Sequence, residues 1–201
     1  MTKSAMLMVT VMSGMGIIPL SAKDAGPTVT VYLDYDARVP ATSVFRATRQ
    51  ASRTFAKTGV NVKFQNTRNR QSDAQPGVDL NLFIGMDAPA GIASAALALA
   101  HPYRQDGRIE VFFSRIQGYK PVECRDVVLA YVITHEITHA LQGINRHAPT
   151  GVMKENWSRE DLKKIQADKL EFDPSDAGLI HDGIERRMNT LQISKADKMV
   201  R

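Results

Sequence analysis

Between Thr28 and Asp36 apolar and polar side chains alternate, Val29, Val31, Leu33 and Tyr35 against Thr30, Tyr32 and Asp34. A period of two predicts a strand with one face turned inward. The period then lengthens. Val44, Ala47, Ala51 and Phe55 fall on one stripe of a helix whose flanks carry Arg46, Arg49, Arg53 and Lys57, with Thr42 or Ser43 as the expected cap and Gly59 as the stop. Val60, Val62 and Phe64 alternate again, and Val78, Leu80, Leu82 and Ile84 make a third strand. The polar stretch between them, Asn66 to Gln75, reads as a loop in which Arg68 and Arg70 are solvated charges. After a loop from Gly85 to Gly91, Ala96–Ala100 and Ile109–Phe113 read as strands joined around Gln105-Asp106-Gly107, the turn chemistry of a hairpin. The expected first half is a mixed sheet of about five strands with one crossover helix.

Beyond Asp126 the pattern is helical. Asp126 is the expected N-cap of a helix from Val127 to about Gln142, stopped by Gly143. Its start, Val127-Val128-Leu129 and Tyr131-Val132-Ile133, is apolar on most sides, so this helix belongs beneath the sheet and not on the surface. Ser158-Arg159-Glu160-Asp161 has the outline of a capping box for a short helix. Asp173-Pro174 opens the last helix, with Ala177, Ile180, Ile184 and Met188 inward and a frayed tail from Thr190. The class expected is α+β, a single domain over residues 23–201 with a sheet part at 28–115 and a helical part at 126–188.

Composition changes this picture at the N-terminus. Lys3 precedes an apolar run from Ala5 to Leu20, and Ser21-Ala22 supplies the small residues of a cleavage site, so residues 1–22 read as a secretory signal peptide. The run is short and broken by Ser13, Gly14 and Gly16, which argues against a stable membrane span once the signal is removed. The mature protein is expected in the periplasm or outside the cell. A net charge of +5 is too small a surplus to indicate nucleic acid. With one cysteine, Cys124, there is no internal disulfide, and a lone half-buried thiol is its simplest reading.

The chemistry is concentrated at His135-Glu136-Ile137-Thr138-His139. On a helix, side chains four apart stack with Cβ atoms about 6 Å apart, so both imidazoles can reach one ion at a zinc bond length of about 2.0 Å. Glu136, rotated by about 100°, misses the ion yet faces a water beside it, the position of a base. A catalytic zinc keeps three protein ligands and an open position. Gly143 can turn the chain back, and His147 is the expected third ligand.

The string HEITHALQGINRH resembles the signature of the metzincin clan of zinc metallopeptidases, HExxHxxGxxH followed by a turn containing methionine below the metal. In strict register the third-ligand position falls on Asn145, so the assignment to His147 rests on chain reversal at Gly143. Gly151-Val152-Met153 looks like that turn, with Met153 as its methionine. The longer spacing, HExxHxxxGxxxH, is similar to a group of short exported bacterial proteins. That likeness extends to Phe55-Ala56-Lys57-Thr58-Gly59-Val60, to Gly107-Arg108 through Phe113 and to Phe172 through Pro174, about residues 28–188 in all. It implies a zincin fold in which one Zn2+ on His135, His139 and His147 serves peptide hydrolysis with Glu136 as general base. It also implies an edge strand, here Ala96–Ala100, that walls a cleft for a peptide or protein substrate. No tyrosine follows Met153 to act as an oxyanion donor. Two other readings stay open: a gluzincin-type peptidase with Glu155 or Glu160 as third ligand, and an exported zinc-binding or partner-binding module without activity. His101 and His181 read as ordinary positions, and Trp157 as packing after the methionine turn.

Overall fold

The structure, a computed structural model, describes residues 26–70, 77–104 and 106–199. The expected signal peptide, part of the 66–75 loop and Gln105 of the hairpin turn lie outside them. Within the described residues the order is β1 (Thr28–Tyr35), α1 (Ala41–Ala56), β2 (Asn61–Asn66), β3 (Val78–Gly85), β4 (Ala98–Ala100) and β5 (Arg108–Phe112). There follow α2 (Phe113–Gln117), α3 (Arg125–Gln142), α4 (Arg159–Gln166) and α5 (Pro174–Met199).

The five strands form one sheet in the order β2-β1-β3-β5-β4. The β1–β2, β1–β3 and β3–β5 pairs are parallel, and β4 is the antiparallel edge. This is the mixed sheet the alternation predicts, with α1 crossing between the parallel pair β1 and β2. Strand β4 is shorter than expected, because the Ala96 N–H turns back to the Ala93 carbonyl and pairing begins only after it. The inward residues of the sheet, Val29, Val31, Leu80, Leu82, Ile84, Ile109 and Val111, share one core with Ala47, Ala51 and Phe55 of α1 and Leu129, Ile133 and Ile137 of α3. Each large aliphatic side chain so buried contributes about 1.5–3 kcal/mol.

Several local expectations are corrected. Helix α1 is capped by Pro40 and not by Thr42 or Ser43: its φ of −61° suits the approach to a helix, and its carbonyl accepts from the N–H groups of Ser43 and Val44. Helix α3 has Cys124 at its N-cap, since a 3-10 turn over Val122–Cys124 runs straight into it. Asp126 lies inside the first turn and pairs with Arg46 of α1 at 3.2 Å. Phe113 leaves the sheet, where Ser114 N–H bonds to the Met86 carbonyl, and Phe113 and Ile116 bury one side of α2. Helix α5 does not fray at Thr190 but continues to Met199. Arg70 is more than a solvated charge: its guanidinium lies 4.5 Å from the centre of the Tyr32 ring, bonds to Asn81 and pairs with Asp79, covering the outer face of the sheet. The capping box of α4 forms as expected, with Ser158 and Asp161 each bonding the other's backbone N–H.

Candidate metal centre

Every residue of α3 from Val128 to Gln142 is buried except Glu136. A helix this enclosed supplies a rigid, dry base, and its polar residues need partners. Thr134 and Thr138 bond back to the Ala130 and Thr134 carbonyls. His135 and His139, one turn apart, point their Nε2 atoms at each other at 3.0 Å. Gly143 then ends the helix in the left-handed conformation, φ 68°, with its N–H on the His139 carbonyl.

The chain reverses there, and the segment beyond carries His147 to the other two rings. Ring centres are 4.7 Å apart for His135 and His139, 5.4 Å for His135 and His147, and 5.0 Å for His139 and His147. One nitrogen from each ring lies within 4.8 Å of the others. Tetrahedral ligands at the zinc–nitrogen bond length stand about 3.3 Å from one another, so small rotations of exposed His147 close the set.

The tautomers are set from behind. His135 Nδ1 is 2.9 Å from the Val152 carbonyl and His139 Nδ1 is 3.3 Å from the Ile144 carbonyl. A carbonyl only accepts, so both Nδ1 atoms carry the proton. Burial, aided by the neighbouring imidazoles, lowers His135 to about 3 and His139 to about 4, which keeps the rings neutral. The two Nε2 lone pairs therefore face each other across 3.0 Å inside the protein, an arrangement that repels unless a cation lies between them.

The floor beneath the rings is the turn Gly151-Val152-Met153. Met153 is fully buried, Ala148 N–H bonds to its carbonyl, and Gly151 has φ 75°. A Cβ on Gly151 would sit 2.4 Å from the Glu171 carbonyl oxygen, so glycine is required on both counts. Trp157 donates Nε1–H to the same Val152 carbonyl that receives His135, and its ring lies edge-on to both His135 and Tyr131.

Glu136 faces the cleft. Burial raises its carboxyl to about 7, with a hydrogen bond from the Ala100 backbone opposing the rise. The cleft has a volume of about 680 Å3 and is walled on one side by residues 95–101, including edge strand β4, and on the other by the histidines, Lys154, Glu155 and Trp157. Asn145 lines it without joining the histidine cluster. Neither Glu155 nor Glu160 belongs to the cluster either; Glu160 is exposed and paired with Lys163 at 2.8 Å. Cys124 is free and half-buried, eleven residues before His135 and thus about 16 Å away along α3. His181 bonds to the Thr58 carbonyl, outside the site, whereas His101 lines the cleft.

Sequence reasoning did not find the backbone supports, the Val152, Ile144 and Ala100 groups, because no side chain marks them. Nor did it find Arg146 and Asp176, an ion pair at 2.8 Å behind His147.

No protein-family model and no curated protein matches the sequence. Solved structures do match its shape. An archaemetzincin from Methanopyrus kandleri superposes with a TM-score of 0.52 at 17% identity, over 83% of this chain and 99% of that one. A zinc-dependent peptidase from Methanocorpusculum labreanum superposes with a TM-score of 0.54 at 16% identity, over 76% and 99%. The α+β fold is therefore that of these zinc peptidases.

Proposed function

We propose that the protein is an exported zinc-dependent metalloendopeptidase in which His135, His139 and His147 hold one zinc ion and Glu136 is the general base. The observation that carries the reading is the pair of Nε2 atoms facing each other at 3.0 Å on a buried helix, with a third imidazole beside them. Three imidazole nitrogen donors and an open cleft are the donor set of a catalytic zinc. Bound there, zinc supplies Lewis acidity, polarising a peptide carbonyl and bringing a water within reach of deprotonation near neutral pH. The fold shared with two zinc peptidases supports the same class, and the N-terminal segment supports export.

The chain's own residues then have defined tasks. The Glu136 carboxylate takes a proton from water as its oxygen bonds to the carbonyl carbon, and passes that proton to the amine nitrogen as the C–N bond breaks. Edge strand β4 holds the substrate. In its pairing with β5, Leu97 accepts from Phe112 and His101 donates to Arg108, so the backbone groups of the intervening Ala98 and Ala100 face outward. The outward groups of Ala98 and Ala100 pair with an extended peptide, and the Ala100 backbone at the same time opposes the rise of the Glu136 carboxyl. One short stretch of edge thus serves substrate and base together.

The test is zinc stoichiometry with a peptide-library cleavage assay on wild type and Glu136→Gln. One equivalent of zinc in both and cleavage lost by 100-fold or more in the variant, in line with what a positioned acid–base group contributes, is the expected result. Equal behaviour of the two proteins assigns the site to a binding module instead.

A further inference from the structure

Of the three histidines, His147 alone lies outside regular secondary structure, exposed on the segment between Gly143 and Gly151. Loops position ligands less tightly than helices do, and a ligand ring must be held to about 0.5 Å. Something must fix this strap. Arg146, the residue before His147, turns to α5: its Nη1 donates to Asp176 Oδ1 at 2.8 Å and its Nη2 to Ser175 Oγ at 3.3 Å. The same Asp176 oxygen receives Nε2 of Gln142, the last residue of the helix that carries His135 and His139, at 3.3 Å. One carboxylate oxygen therefore joins the frame of the first two ligands to the residue adjoining the third. On the far side, Thr150 Oγ1 donates to Asp173 Oδ2 at 2.7 Å, so the strap is tied to the start of α5 at both ends.

Asp176 is fully buried, and a buried ion pair is weak evidence for stability because desolvation offsets its attraction. Registry between elements is the better-attested use of such a pair. Here the hydrogen bonds converge on Oδ1, the oxygen shared by the two segments whose separation sets the ligand geometry.

We infer that Asp176, acting through Arg146, is the positioning residue for the third histidine of the centre. The inference rests on the reading that the three histidines hold zinc. Groups bonded directly to a metal ligand are worth about 10- to 100-fold in metal affinity, and a residue that fixes the position next to the ligand is expected toward the lower end of that range.

The experiment is a double-mutant cycle on the full chain, with zinc affinity measured by competition with a chromophoric chelator in wild type, Asp176→Asn, His147→Ala and the double variant. Visible absorption of the cobalt(II) form provides a second readout. Asp176→Asn keeps the size and removes the charge. The expected result is zinc binding weaker by about 10-fold, the lower end of that range, with an altered cobalt spectrum, and no further loss from Asp176→Asn once His147 is alanine. Unchanged affinity, or an equal loss in the His147→Ala background, overturns the inference, the second because the effect then bypasses that ring. Should Asp176→Asn not fold, Arg146→Gln carries the same cycle, and Arg146→Lys restores part of the affinity. A wild type that binds no zinc overturns the metal reading itself, an outcome distinct from tight binding that Asp176→Asn leaves intact.

Discussion

Helix α5 carries two glycines in which the same substitution has opposite consequences. A Cβ on Gly183 would lie 1.9 Å from the Leu141 carbonyl oxygen, 2.8 Å from its carbon and 3.1 Å from Gln142 Cα. All of these atoms are backbone, so no side chain can swing aside and α5 must retreat from the last turn of α3. Ile180 and Ile184, both buried, retreat with it, and the hydrogen bonds from Arg186 to the Gln142 carbonyl and from Arg187 to the Ala140 carbonyl lengthen. Overpacking costs about 1–3 kcal/mol. A weakened charged hydrogen bond adds about 1.5–3 kcal/mol at most, and the better helix propensity of alanine returns about 1 kcal/mol. The net expectation for Gly183→Ala is a loss of about 1.5–5 kcal/mol, which lowers the melting temperature of a domain this size by about 3–20 °C. Around Gly178 a Cβ meets nothing within 4 Å, so there the propensity stands alone and Gly178→Ala gains up to about 1 kcal/mol. Urea and thermal unfolding of both variants beside wild type measure the difference. A shift of the same sign in the two, or a Gly183→Ala protein as stable as wild type, refutes the close approach of α5 to α3.

Gly151→Ala meets both a positive φ and a 2.4 Å approach to the Glu171 carbonyl, so it displaces the Val152 carbonyl that orients His135; zinc affinity by chelator competition is expected to fall at least about 10-fold. Chelation of the wild type should lower its unfolding free energy, measured by urea denaturation, by about 4 kcal/mol when zinc had been at a thousand times its dissociation constant, whereas His139→Ala should lose much of this response. Burial alone would raise the Asp161 carboxyl, but Lys154, the Ser158 hydroxyl and the Ser158 backbone bring it down to about 2. Its folded value thus lies below the unfolded value of about 3.9, so its contribution is complete above about pH 4 and is lost as the pH falls toward 2. Urea midpoints across that window should decline more steeply for wild type than for Asp161→Asn.

How much of this was legible in the sequence follows from how local each signal is. The HExxH spacing, Gly143 and His147 lie within thirteen residues, and one helix with one glycine turn determines their geometry, so the cluster could be read from the chain. The parallel strands were legible because their alternation reports burial directly. The end of β5 was not, since Phe113 and Ile116 suit a strand's continuation as well as a single helical turn. The caps of α1 and α3 were misread for a related reason. Thr42, Ser43 and Asp126 have the right chemistry, but Pro40 and the 3-10 turn over Val122–Cys124 had already set the backbone two or three residues earlier. The pairing of Arg146 with Asp176 spans thirty residues and has no periodic signature; only the fold of α5 across the end of α3 reveals it.

The sharing of the Val152 carbonyl has a practical consequence. Trp157 is the chain's one tryptophan, and its indole both bonds to that oxygen and lies 6.1 Å, ring to ring, from His135. The molecule thus carries a built-in optical reporter, for fluorescence excited at the indole originates within a few ångströms of the imidazoles. Titration with cobalt(II), which absorbs emitted light and quenches nearby fluorophores, can be followed on unlabelled protein, turning an architectural detail into an assay.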